Sequence, residues 1–213
     1  MSRQSIISRN EKLGPRVVKA LKSRHFEAFY CTTSEEALAL AISLIPQDHV
    51  VAWGGSATTA KIGLIQAVKE NYHVINRDEA ESADEKMTLM RQSLLADTYI
   101  TGTNAISENG VLVNVDGIGN RVAAMIYGPK NVVVVAGMNK VVRSVEDAVV
   151  RARTIAAPTN AQRFPDLSTP CLVSGSCENC KSLDSICSYI SVIRLCRPAG
   201  KIKVILIGEN LGY

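Results

Sequence analysis

Four cysteines, Cys171, Cys177, Cys180 and Cys187, arrive within seventeen residues near the C-terminal end of the 213-residue sequence. Their spacing is Cys-x5-Cys-x2-Cys-x6-Cys, interleaved with Ser174, Gly175 and Ser176. Two cysteines separated by two residues can grip one metal, and two more nearby complete a four-thiolate shell. Such a shell suits zinc or an iron–sulfur cluster. The pattern lacks the repeated Cys-x2-Cys of ferredoxins and the paired Cys-x2-Cys of a zinc ribbon, so spacing alone does not choose the metal. A redox dithiol and unconnected cysteines are the alternatives. Cys31 and Cys196 sit in apolar, strand-like settings and read as small core residues.

A second concentration of chemistry runs from Asp97 to Arg121. Two β-prone segments, Tyr99–Thr101 and Val111–Val113, flank an Asn109-Gly110 turn signal. Thr101, Gly102 and Asn104 follow the first segment, and Asp116, Gly117, Asn120 and Arg121 follow the second. Glycine lets backbone N–H groups approach a ligand, and Arg121 offers a planar, permanently charged fork. The expectation is a ligand-binding rim; a Gly-rich hairpin without a ligand is the alternative. A third candidate is Val50–Trp53 running into Gly54-Gly55-Ser56, with Thr58 opening a helix. N–H groups and hydroxyls there suit a phosphate or carboxylate, or serve only to cap the helix. The stretch has neither the ending of a P-loop nor a dinucleotide fingerprint. His25, His49 and His73 stand at no ligand spacing and read as solvated or capping.

The elements needed to position these groups follow from periodicity. Leu13, Val17, Val18 and Leu21 predict a helix over about 8–24, with Gly14-Pro15 kinking it or delaying its start. A strand is expected at 27–31. Thr33 and Glu36 form a capping box for a helix carrying Leu38, Ile42 and Ile45. Strands at 50–53 and 73–75 follow, then a charged helix over about 78–95. The β-branched run Val132–Val135 predicts a strand covered on both faces, and Val145–Ile155 a helix. Alternating strands and helices predict an α/β fold with a mainly parallel sheet, whose ligands gather at the carboxyl ends of strands. Residues 1–156 form the expected α/β unit. Residues 157–213 form a Cys-rich elaboration whose last strands, near 191–195 and 201–207, rejoin the sheet.

Composition narrows the partners. The sequence is 46% hydrophobic and 21% charged, with a formal net charge of +4. That balance is ordinary for a soluble globular chain and admits an anionic ligand. No basic block with interleaved aromatics calls for nucleic acid, and no apolar run reaches the ~18 residues of a membrane span. Without an apolar signal-peptide core the expected location is the cytoplasm, where cysteines stay reduced. The sequence sets no oligomeric state.

Several motifs recur together in one order: Gly54-Gly55-Ser56-x-Thr58, Thr101-Gly102-Thr103-Asn104-Ala105-Ile106, Asn114-x-Asp116-Gly117-x-Gly119-Asn120-Arg121 and Gly137-x-Asn139-Lys140. With the Cys-rich tail and Gly208-Glu209-Asn210-Leu211-Gly212, they resemble the LUD-domain family of lactate-utilisation proteins, and within it the single-domain branch with a Cys-rich tail. The resemblance implies a fold like ribose-5-phosphate isomerase and the CoA-transferases. It also implies a role in oxidation of lactate or a related 2-hydroxy acid, beside iron–sulfur and oxidase-type partner proteins, and it tilts the four cysteines toward an iron–sulfur cluster over zinc. Separately, Ser107-Glu108-Asn109-Gly110 resembles the Ser-Glu-Asn-Gly signature of CoA-transferases, whose glutamate is the nucleophile. The continuation Val111-Leu112-Val113-Asn114 departs from that pattern. The leading expectation is a LUD-type protein binding a small anionic metabolite and a four-cysteine metal centre. A stand-alone isomerase or CoA-transferase-like enzyme using Glu108, and a binding module with structural zinc, are the alternatives.

Overall fold

The computed structural model describes residues 3–213; residues 1 and 2 of the expected first unit lie outside the described residues. The first helix, α1 (Arg3–Ser23), starts earlier than its apolar spacing predicts and runs through Pro15. Leu13, Val17 and Leu21 bury one stripe of it, while Pro15 faces solvent, where water can take up the carbonyl that proline leaves unpaired. Gly14 is no helix breaker here. A Cβ at that position would stand 2.2 Å from the ring of Tyr30, so glycine is what lets α1 lie on the following strand.

Six parallel strands make the main sheet: β1 (Glu27–Cys31), β2 (Val50–Trp53), β3 (His73–Ile75), β4 (Thr98–Thr101), β7 (Asn131–Gly137) and β10 (Ile202–Ile207). Their spatial order is β1-β10-β7-β4-β2-β3. The valine run forms β7, between β4 and β10 and buried on both faces, as its sequence predicts. Val132, Val134 and Ala136 join the core beneath α1; Val133 and Val135 join the opposite core. Each fully buried valine contributes roughly 1.5–3 kcal/mol relative to an exposed one.

Helices α2 (Ser34–Ser43), α3 (Ala57–Lys61) and α4 (Leu64–Asn71) cover one face of this sheet. Thr33 caps α2 through Glu36 N, and the Glu36 carboxylate accepts from Thr32 N rather than from Thr33 N, so the box is displaced by one residue. Gly63, with φ +77°, separates α3 from α4. The charged segment before β4 is not one helix: a 3₁₀ turn (Arg77–Glu79) precedes α5 (Ala83–Gln92), which Ser82 caps.

The other face carries α1 and a second, four-stranded sheet. This sheet orders β8 (Val141–Val142), β5 (Ala105–Ser107), β6 (Leu112–Asp116) and β9 (Tyr189–Ile193). The Asn109-Gly110 turn joins β5 to β6 in an antiparallel hairpin. The segment Tyr99–Thr101, expected to flank that turn, instead belongs to the parallel sheet. Beyond the hairpin, α6 (Asn120–Ile126) leads into β7. Against the outer face of the small sheet lie α7 (Val145–Arg151), a π-helical turn (Ala152–Ala156) and α8 (Ala157–Ala161). These three follow without interruption, so the chain passes helically through the expected change of character at Ala157. The short α9 (Pro170–Ser174) starts the Cys-rich segment. Of the two final strands, β10 enters the main sheet and β9 the small one.

Candidate functional site: two adjoining cavities

Strand order creates the crevice. From β2 the chain moves outward to β3 over one face; from β4 it moves to the small sheet on the other face. The carboxyl ends of neighbouring β2 and β4 therefore diverge, which is where open α/β sheets bind ligands. A cavity of about 450 Å³ lies there. Gly55 and Ser56 line it after β2, Gly102 and Asn104 after β4, and Asp116, Gly117, Asn120 and Arg121 from the end of β6 and the start of α6. Three other expected residues stand behind its wall. Gly54 sits where a Cβ would meet the Tyr99 hydroxyl at 2.9 Å and Arg121 Cγ at 3.0 Å. Thr58 and Thr101 are fully buried.

Arg121 is not the open fork its charge suggested. Its Nη1 donates to Asn114 Oδ1 at 2.7 Å and Gly102 O at 3.2 Å, and its Nη2 to Val115 O at 2.7 Å and Asn104 Oδ1 at 2.9 Å. Nε faces Asp116 Oδ2 at 3.8 Å. The Asp116 carboxylate in turn accepts from Gly119 N and Val122 N and so starts α6. With its side chain only 11% exposed, Arg121 ties together the two sheets and the helix.

The hydroxyls after β2 are also occupied. Ser56 Oγ accepts from Thr59 N, an ordinary N-cap for the five-residue α3. Thr58 Oγ1 donates to Leu211 O and accepts from Lys140.

Charge available to a ligand comes from residues that the sequence motifs did not single out as binders. Arg77, on the 3₁₀ turn after β3, lines the cavity, and its buried Nε has no hydrogen-bond partner. The nearest carboxylate, Asp78, is 3.6 Å away and accepts from Trp53 Nε1. Lys140, from the 3₁₀ turn after β7, is 5% exposed, and its Nζ donates to Thr58 Oγ1 at 3.2 Å. Burial, with Arg151 and Arg121 nearby, pushes the Lys140 ammonium down to about 7. Arg163 lines the outer rim. Burial pushes the Tyr99 phenol up to about 12, which keeps it neutral behind Gly54.

Glu108 is not in this crevice. It sits in the hairpin turn and lines a separate groove with Arg9, Lys12 and Arg16 of α1. The glycine-rich loops at Gly55, Gly102 and Gly117 line the other cavity.

All four tail cysteines, with Arg153, line a second cavity of about 360 Å³. None is in a disulfide. Thr169 Oγ1 lies 3.4 Å from Cys171 Sγ, Ser185 Oγ 3.4 Å from Cys187 Sγ, and Arg153 Nη2 donates toward Cys177 Sγ at 3.9 Å. Four free cysteines lining one space, with a hydroxyl or guanidinium beside three of them, form a donor set of the kind that suits a metal centre. Among the described residues no three Cys, His, Asp or Glu side chains are drawn together as a single ion would require. Cys31 and Cys196 are buried elsewhere in the core.

The LUD domain family model matches residues 14–207, most of the chain. The chain belongs to the LUD-domain family. Its fold is similar to the crystal structure of a DUF162 family protein from Deinococcus radiodurans, with a TM-score of 0.52 at 13% identity over 93% of this chain and 98% of that one. Ribose 5-phosphate isomerase A from Neisseria gonorrhoeae matches 54% of this chain and 56% of its own, at 16% identity and a TM-score of 0.33. No curated protein matches.

In this LUD-domain protein the two cavities adjoin. Ser185 and Ile186 line both, and a Cβ on Gly117 would come within 3.2 Å of Ile186 Cα. The cysteine loop is thus a wall of the crevice. Lys140 had a local signal, its place in a motif closing β7; Arg77 had none.

Proposed function

We propose that this LUD-domain protein binds a small anionic metabolite in the crevice and an iron–sulfur cluster on Cys171, Cys177, Cys180 and Cys187, in support of lactate oxidation. One observation carries the proposal: a cation-lined cavity and a four-thiol cavity share the wall formed by Ser185 and Ile186. Arg77 and Lys140 supply the positive charge, because Arg121 is committed to the framework. A carboxylate of lactate size would take charge-assisted hydrogen bonds from the terminal nitrogens of Arg77. A tetrahedral zinc with ~2.3 Å bonds needs sulfurs about 3.8 Å apart. Four thiols set around a wider cavity favour a larger cluster. When bound, the cluster would supply one-electron transfer, and electron-carrying partner proteins would complete the oxidation. Free thiols suit the reducing cytoplasm.

Anaerobic purification followed by metal and sulfide analysis tests this. Iron and acid-labile sulfide are expected, and each of Cys171→Ser, Cys177→Ser, Cys180→Ser and Cys187→Ser should lose them, while Cys31→Ser and Cys196→Ser keep them. One zinc per chain and no sulfide would turn the site into a structural module. Calorimetry with L-lactate and pyruvate tests the crevice, and absence of binding to the intact protein would remove the metabolite from the proposal.

A further inference from the structure

We infer that Lys140 is a nucleophilic amine, and that the crevice condenses it with the carbonyl of a small 2-oxo acid whose carboxylate rests on Arg77. The inference builds on the anion-binding role of the crevice and names the ligand class. Three features of Lys140 point to it. Lys140 is buried yet is one of the residues lining the cavity, unlike Lys201, whose Nζ is tied to Ile126 O at 2.9 Å. Among the described residues no carboxylate lies within 4.0 Å of Nζ, whereas Lys203 has Glu27 at 3.8 Å. Finally, Thr58 donates its hydroxyl proton to Leu211 O, so its oxygen can only accept from Lys140.

That last contact orients the amine. One N–H is held on Thr58, so the lone pair of the neutral form points away from that hydroxyl. The neighbours favour the neutral form: Arg151 on α7, which donates to Asn139 O and Asn104 O, and Arg121 on α6. A lysine desolvated beside other cations is the environment that makes an amine nucleophilic near neutral pH. Arg77, by contrast, stays charged at any accessible pH and provides the fixed carboxylate anchor.

The step balances without a further reactant. The Nζ lone pair forms a bond to the carbonyl carbon while the C=O π pair moves to oxygen, giving a carbinolamine. Oxygen then leaves as water, taking the equivalent of both amine protons, and a C=N bond remains. Thr58 is a positioning residue in this scheme. The product of 2-hydroxy-acid oxidation is itself a 2-oxo acid, so the crevice would capture that product.

Reductive trapping tests the inference. The intact protein is incubated with pyruvate and cyanoborohydride, and its peptides are mapped by mass spectrometry. Alkylation is expected at Lys140, at least tenfold faster than at exposed lysines such as Lys61, with a rate that rises through about pH 7. Arg77→Met should slow trapping by pyruvate about tenfold but leave trapping by uncharged acetaldehyde unchanged. The wild-type map gives the site without relying on the folding of a Lys140→Met variant. Labelling of Lys140 no faster than Lys61 overturns the inference. Pyruvate that binds by calorimetry but is not trapped removes the imine and leaves the anion site standing; pyruvate that does not bind removes both.

Discussion

Asn104 Oδ1 accepts from Arg121 Nη2 at 2.9 Å and from Val115 N at 3.0 Å. One amide oxygen therefore couples the loop leaving β4 to the end of β6 and to α6. Arg151 Nη1 donates to the backbone oxygen of the same residue, which fixes Asn104 from the α7 side as well. The crevice floor is a hydrogen-bonded frame, and its shape depends on every member being present.

Arg121→Met should destabilise the fold by about 3–5 kcal/mol, because it removes the counter-charge of buried Asp116 and leaves Asn114 Oδ1 without its donor. Arg121→Lys should recover little of this, since a point charge cannot serve four acceptors in one plane. Urea unfolding measures both. Weakened ligand binding at unchanged stability would instead return Arg121 to the role of a ligand fork.

Two glycines should resist substitution for reasons of contact. Gly14→Ala would push a methyl group into Tyr30, and Gly110→Ala would place one 2.6 Å from the carbonyl carbon of Ala20, at a φ of +83°. Each should lower stability by more than ~1 kcal/mol, or roughly 2 °C or more in Tm for a chain of this size. Gly200, with open space around it, should bear alanine with only the strain of its positive φ. Thermal melts of the three variants give the comparison.

Arg77→Met should weaken binding of pyruvate or lactate by roughly ten- to hundredfold, the value of a charge-assisted hydrogen bond of about 1.5–3 kcal/mol. The melting temperature should change little, because only Asp78 at 3.6 Å loses a partner. Calorimetry at two salt concentrations would show affinity falling with salt in the native protein and a flatter response in the variant.

Stability should rise with pH above neutrality on account of Lys140. Its folded-state value of about 7 lies below the ~10.4 of an unfolded lysine, so between these limits the unfolded chain holds more protons. Lys140→Met should be more stable than the native protein below about pH 7, with the gap narrowing toward about pH 10. A gap that does not change with pH would mean that Lys140 titrates as an exposed lysine does.

Local pattern carried much of the architecture. The unbroken valines of β7 could only be a strand buried on both sides, and Asn109-Gly110 could only be a tight turn. The turn's partner strands were less legible. Tyr99–Thr101 and Ala105–Ser107 are both short and apolar, and which of them pairs across the turn is decided by register against β6. Gly14-Pro15 misled in the same way: composition marks a break, but the Tyr30 ring that explains the glycine lies on another element. Among site residues, the glycines after β2 and β4 announced themselves through backbone demands.

What the sequence determined by itself is the parallel α/β frame, the family, the glycine-rich rim and four cysteines near enough in the chain to meet. Each follows from spacing over a few residues. The tertiary structure decided which charges face the ligand. Arg121 looked available and is consumed by Asn104, Asn114, Gly102 and Val115, whereas Arg77, which carried no signal, and Lys140, known only as part of a motif, line the crevice. It also put the cysteine loop against Gly117, making two cavities neighbours. The physical reason is that a side chain's free valence is what remains after its long-range partners are counted, and chain spacing does not encode those partners.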